Sequence, residues 1–167
     1  MYRLIYISRF RPRTLQSSAS DCTGEIARHA RARNDELDLT GALIGTKNYF
    51  AQILEGEEAN VRNMMARIRA DRRHDLVRII SEGRVGARAF HDWSMACVVG
   101  SAALEQCIRT SLTRSGPHAE QDAILASLVM QYSKSRRSLS RLQTVREQAH
   151  LPLAQSADIC SVPSGCA

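Results

Sequence analysis

The sequence predicts an α+β domain, a ferredoxin-like β-α-β-β-α-β-β sheet with two helices on one face and C-terminal helices covering the other. Three observations predict it. Runs of β-branched and aromatic residues open the chain and recur on both sides of a short polar turn. Two helical segments fall between those runs, one behind serine caps and one with apolar residues at three- and four-residue spacing, as a split β-α-β requires. A further helical stretch follows the last strand and can cover a sheet face that would otherwise be a large exposed apolar patch.

The elements follow in order. Residues 2–8, YRLIYIS, alternate Tyr2, Leu4, Tyr6 and Ser8 on one face with Arg3, Ile5 and Ile7 on the other, which is a strand. The arginine- and serine-rich stretch 9–20 is a connection, with Ser18 or Ser20 as N-cap of a helix through EIARHARARN that ends near Asn34. LTGALIG (39–45) and YFAQILEG (49–56), separated by Thr46, Lys47 and Asn48, read as a β-hairpin. Glu57 and Glu58 open a second helix whose Val61, Met64, Met65 and Ile68 share a face. Two strand-like segments follow, about 76–85 and 93–99, joined by a glycine-containing link. Residues 102–113 and 118–149 are helical, split by Ser115, Gly116 and Pro117. In the last helix Leu125, Leu128, Tyr132, Leu139 and Leu142 alternate at three and four residues, interrupted by Ser135. That is the spacing of a coiled-coil seam or of a stripe laid on the sheet.

This divides the 167 residues into one domain over 1–100, a helical cap or output segment over 101–150, and a tail over 151–167 without periodicity. With 44% apolar and 24% charged residues the chain is neither disordered nor fibrous. No apolar run approaches the ~18 residues of a membrane span, and arginines break the N-terminal apolar stretch that a signal peptide would keep contiguous. The expectation is a cytoplasmic protein without a membrane partner. The net charge of +6 suits an anionic partner, but the charge is spread along the chain. The five cysteines include no C-x-x-C pair and no histidine at ligand spacing, so they read as reduced thiols and no metal site is expected.

A search for catalysis returns no dinucleotide fingerprint, P-loop, zinc-protease or nucleophile-elbow motif. Gln52 is harder to explain as structure. It sits mid-strand on the face of Phe50 and Leu54, where an unpartnered amide would cost roughly 1–3 kcal/mol. Tyr6 raises the same question beside Leu4 and Ser8. Amide and phenol could satisfy each other or the backbone. Together with the indole of Trp93 they could instead surround a planar polar ligand. Asp71, Arg73 and His74 form the densest ionisable cluster, which could equally be a solvated helix end.

The strings LIYIS, Asn34 followed by LTG, FAQILEGE, RIRADRRH and FHDWSM, in that order over residues 1 to about 97, resemble the BLUF family of flavin-binding blue-light sensors. The resemblance implies non-covalent FAD between the two helices, its ring against the face that carries Tyr6 and Gln52. It implies that Tyr6 is the photoactive tyrosine, Gln52 the switching glutamine and Asn34 a holder of the flavin edge. It also implies that Arg67, Asp71, Arg73 and His74 contact the flavin, and that Trp93 and Met95 are the pair on the fifth strand that trades places near Gln52. Light would drive electron and proton transfer from Tyr6 and a rearrangement of Gln52, passed to the C-terminal helices, to a homo-oligomer contact and to a separate effector protein. No substrate would be turned over.

Three departures stand out: Arg33 where relatives carry a second polar flavin contact, Asp38 before LTG where Gly or Asn is common, and RFRPR as an extra loop. Two other classes are weighed against the sensor. A flavin- or nucleotide-dependent redox enzyme would need a substrate entry and a second donor. A basic nucleic-acid-binding module would use the arginines of the last helix, but the strands lack the aromatics of a ferredoxin-like RNA binder.

Overall fold

The computed structural model describes residues 1–12, 18–92, 94–114, 116 and 119–149, with 136–149 as helix backbone. Its elements are β1 (Tyr2–Phe10), α1 (Ala19–Glu36), β2 (Thr40–Gly45), β3 (Tyr49–Gly56), α2 (Glu58–Ala70), β4 (His74–Arg84), β5 (Ala96–Val99), α3 (Ala102–Thr113) and α4 (Ala119–Ala149). The sheet order is β4-β1-β3-β2-β5. β3 lies antiparallel between β1 and β2, and β5 adds to β2 in parallel. This is the split β-α-β arrangement with one strand appended.

Period-two alternation sends β1 and β3 side chains to two cores. Leu4, Tyr6, Phe10, Phe50 and Leu54 pack with Ile26 of α1 and with Val61, Met64 and Met65 of α2. Ile5, Ile7, Ala51 and Ile53 pack on the other face with Leu104 and Ile108 of α3 and with Leu125, Ala126 and Val129 of α4. The expected two-sided cover is therefore present. The α1 N-terminus is capped by the β2–β3 turn, since the backbone N–H groups of Ala19 and Ser20 donate to Lys47 O at 3.0 Å and Thr46 O at 2.7 Å. Gly45 permits this docking, because a Cβ there would lie 1.9 Å from Thr23 Oγ1.

Several boundaries differ from expectation. α1 begins at Ala19, so Ser18, one of the two expected caps, stands at the position before the helix, and Ser20 lies inside it. α2 ends at Ala70, with the Asp71 N–H donating to Ile68 O. Arg73 therefore lies in a tight connection and His74 opens β4; neither caps a helix. β5 starts at Ala96, so Met95 lies just before the strand and not on it. The α4 stripe also divides: Leu125 is buried but Leu128 is 41% exposed, because Ala126, Val129 and Ser133 turn to the sheet instead. Trp93, the side chains of Leu139 and Leu142, and the tail 151–167 lie outside the described residues. Among the described residues Cys97 and Cys107 form no disulfide, and no helix is long and apolar enough to cross a membrane.

Candidate functional site

Tyr6 and Gln52 are direct partners in the β1–β3 register. Their side chains point toward α1 and α2, and the Tyr6 hydroxyl donates to Gln52 Oε1 at 2.5 Å. Gln52 Nε2 donates to Met95 Sδ at 3.5 Å, a weak acceptor. Tyr6 is fully buried and Gln52 is 5% exposed. Burial holds the phenol well above its usual pKa, with the Asp71 carboxylate adding to the effect and Arg73 opposing it.

Between α1 and α2 lies a cleft of about 210 Å³, lined by Ile26, His29, Ala30, Arg33 and Asn34 from α1 and by Met64, Arg67 and Ile68 from α2. Gln52, Asp71, Arg73 and His74 complete its lining. Tyr6 does not reach it, so Gln52 stands between the buried phenol and the cleft. Asn34 is fully buried. Its Nδ2 donates to Ser94 O at 2.6 Å, while among the described residues its Oδ1 has no donor. A buried amide oxygen left unpaired costs roughly 1–3 kcal/mol, so this atom calls for a ligand N–H.

The cluster after α2 is internally paired. Arg73 donates through Nη2 to Asp71 Oδ2 at 2.6 Å and through its backbone N–H to Asp71 Oδ1 at 2.9 Å. Burial alone would raise the Asp71 pKa, but these Arg73 bonds outweigh it and hold the carboxyl low. His74 Nδ1 lies 2.9 Å from Ser8 Oγ, and burial pushes its pKa down to about 4, with Asp71 pulling the other way. The imidazole is therefore neutral near pH 7.

The structure thus brings Asn34, Gln52, Arg67, Asp71, Arg73 and His74 to one cleft and sets Tyr6 and Met95 behind Gln52. Two of the departures acquire a setting. Arg33 stays at the exposed side of the cleft. Asp38 has φ +48°, a conformation that Gly and Asn also tolerate, and Arg88 donates to its carbonyl at 2.7 Å and its carboxylate at 2.6 Å. Sequence reasoning missed the walls of the cleft. Ile26, Met64 and Ile68 have ordinary helical core spacing, and only a gap between two apolar helix faces distinguishes a wall from a core. The lining suits a planar heteroaromatic ring, with apolar side chains for its faces and amide and guanidinium groups for a polar edge.

A family model described as BLUF, sensors of blue light using FAD, matches residues 1–96. Photoactivated adenylate cyclase subunit beta of Euglena gracilis is 30% identical over 97 residues, 56% of this chain and 11% of that protein. Subunit alpha from the same organism is 27% identical over the same length and 9% of its own chain. The chain thus spans only a small part of these curated relatives. Among solved structures, the BLUF protein BlrB in its dark state is 30% identical with a TM-score of 0.57, covering 75% of this chain and 96% of that one. Photo-activated BlsA has a TM-score of 0.60 at 22% identity, covering 77% and 94%, and supports the fold alone.

Proposed function

The chain belongs to the BLUF family, whose members sense blue light using FAD, and from that premise we propose that the cleft between α1 and α2 holds FAD and that Tyr6 and Gln52 form the light-driven switch. The observation that carries this is the position of Gln52, hydrogen-bonded to a buried phenol on one side and open to the cleft on the other.

When bound, the flavin supplies blue-light absorption and an excited state able to oxidise a phenol. Asn34 Oδ1 would accept from the ring edge, and Arg67, Arg73 and His74 would bound its polar end, with Asp71 fixing the Arg73 fork. The apolar walls exclude water. Tyr6 keeps its proton in the dark because burial disfavours the phenolate. Once the phenol is oxidised that proton has one short path, along the hydrogen bond to Gln52 Oε1. Gln52 takes it, exchanges the positions of its donor and acceptor ends, and stays rearranged after both the electron and the proton have returned to Tyr6. Nε2 then leaves Met95 Sδ, and the segment before β5 reports the change to α3 and α4. Trp93 belongs to that segment.

In this reading residues 1–100 are the photosensory unit and 101–150 the output. The protein turns over no substrate, works in the cytoplasm, forms a homo-oligomer and signals to an effector protein in trans. The test is the purified protein itself. It carries FAD, or takes it up, and its absorption moves slightly to the red under blue light and returns in darkness. A preparation that neither contains nor takes up FAD contradicts the proposal.

A further inference from the structure

Glu55 is a carboxylate with no part in the switch, yet its side chain is fully buried. It lies three residues beyond Gln52 on β3, and alternation turns it to the opposite face. Its oxygens are consumed by three groups. Arg3 Nε donates to Oε1 at 2.6 Å, the Ala89 backbone N–H donates to both oxygens at 3.0 and 2.9 Å, and the Phe90 N–H donates to Oε2 at 3.0 Å. Residues 89 and 90 belong to the connection that leaves β4 at one sheet edge and enters β5 at the other. Phe90 itself is fully buried against the α3–α4 face.

The far end of the connection is held as well. Asn34 Nδ2 donates to Ser94 O at 2.6 Å and Arg31 Nε to Met95 O at 3.3 Å. Residues 89 and 90 are therefore held by Glu55, and residues 94 and 95 by α1. The connection presents Met95 Sδ to the Gln52 amide. An amide exchanging its two ends beside a thioether must sweep past it, so the barrier to reversal depends on how rigidly Met95 is held.

We propose that Glu55 is a positioning residue that sets the lifetime of the light-adapted state by anchoring Ala89 and Phe90 of the connection that carries Met95 to Gln52. The inference rests on the reading of Gln52 as the switch. Charge-assisted bonds to backbone N–H groups are the stronger kind, and this carboxylate makes them where water does not compete. The Arg88–Asp38 contact on the same connection is exposed on its Asp38 side, 86%, and holds less firmly.

The experiment measures dark recovery of the visible spectrum in the full-length FAD-loaded protein, comparing the parent with Glu55→Gln and Glu55→Asp. Glu55→Gln has one acceptor oxygen where the carboxylate has two. It should keep the FAD stoichiometry and the amplitude of the red shift but recover at least about fivefold faster. Glu55→Asp keeps the charge with shorter reach and should fall between. Val129→Ala, which loosens the core of the same face, should lower Tm without accelerating recovery. Recovery within about twofold of the parent for both Glu55 variants overturns the proposal. So does acceleration by Val129→Ala equal to that of Glu55→Gln. Failure of both Glu55 variants to fold or hold FAD would make Glu55 a determinant of the fold and likewise overturn the positioning role. A parent protein with no red shift would instead refute the switch reading on which the inference rests.

Discussion

The Tyr6 hydroxyl and Gln52 Oε1 meet at 2.5 Å across two directly paired strands, from positions 46 residues apart in the chain. Among the described residues neither has another polar partner of comparable strength, since Gln52 Nε2 donates to the Met95 thioether, a weak acceptor. The pair is thus a structural satisfaction of two buried groups and, in the proposed switch, also the proton path.

Replacing Gln52 separates those two roles. Gln52→Leu keeps approximate volume and leaves the Tyr6 hydroxyl unpaired, which should cost roughly 1–3 kcal/mol in urea unfolding. FAD should stay bound, and the light-induced red shift should vanish. A variant that still photocycles would show that the amide is packing and not a relay.

Asn34 tests the cleft. Its unpaired Oδ1 means that the ligand-free fold gains little from that atom, while bound FAD gains an acceptor. Asn34→Ala removes the Nδ2–Ser94 O bond as well, so it should cost roughly 1–3 kcal/mol in unfolding and also bind FAD about tenfold to a hundredfold more weakly, by quenching of flavin fluorescence. Unchanged affinity would place the flavin edge elsewhere.

The sequence made the strand alternation, the hairpin and the two helices legible, since each rests on spacing within a few residues. It also exposed Gln52 and Tyr6, because an amide and a phenol on an apolar strand face need partners. What it concealed depends on distant pairing. Glu55 reads as surface charge until Arg3 and the backbone of residues 89 and 90 close over it. His74 reads as part of a helix end until β1 pairs with it at Phe10. Leu128 reads as a stripe residue, but the neighbouring Ala126 and Val129 complete the sheet contact and leave it outside.

His74 predicts a pH dependence of stability. Its folded pKa of about 4 lies below the ordinary value of 6.5, so between those values the unfolded chain binds more protons. Stability is then fully present above about pH 6.5 and falls as pH drops toward 4, by on the order of 3 kcal/mol. Urea midpoints of the parent and of His74→Gln at pH 7 and pH 4.5 isolate the effect, and the variant should lose less. Equal losses would mean that carboxylates alone drive the acid sensitivity.

The C-terminal helix predicts a division between cover and output. Tyr132 Oη donates to Val99 O at 2.9 Å and Ser133 is buried, whereas Lys134 and Ser135 are exposed. Truncation after Ser133 should leave the spectral photocycle intact and remove light-dependent association in scattering or size exclusion. The same association in truncated and full-length protein would move the output element elsewhere.

The most direct test is the light-minus-dark absorption spectrum of the FAD-loaded protein set beside that of Tyr6→Phe. That substitution removes one oxygen from a site that does not touch the cleft, so FAD content should be equal in the two proteins. The account predicts a small red shift in the parent that reverses in darkness, and none in Tyr6→Phe. A normal photocycle in Tyr6→Phe would contradict it.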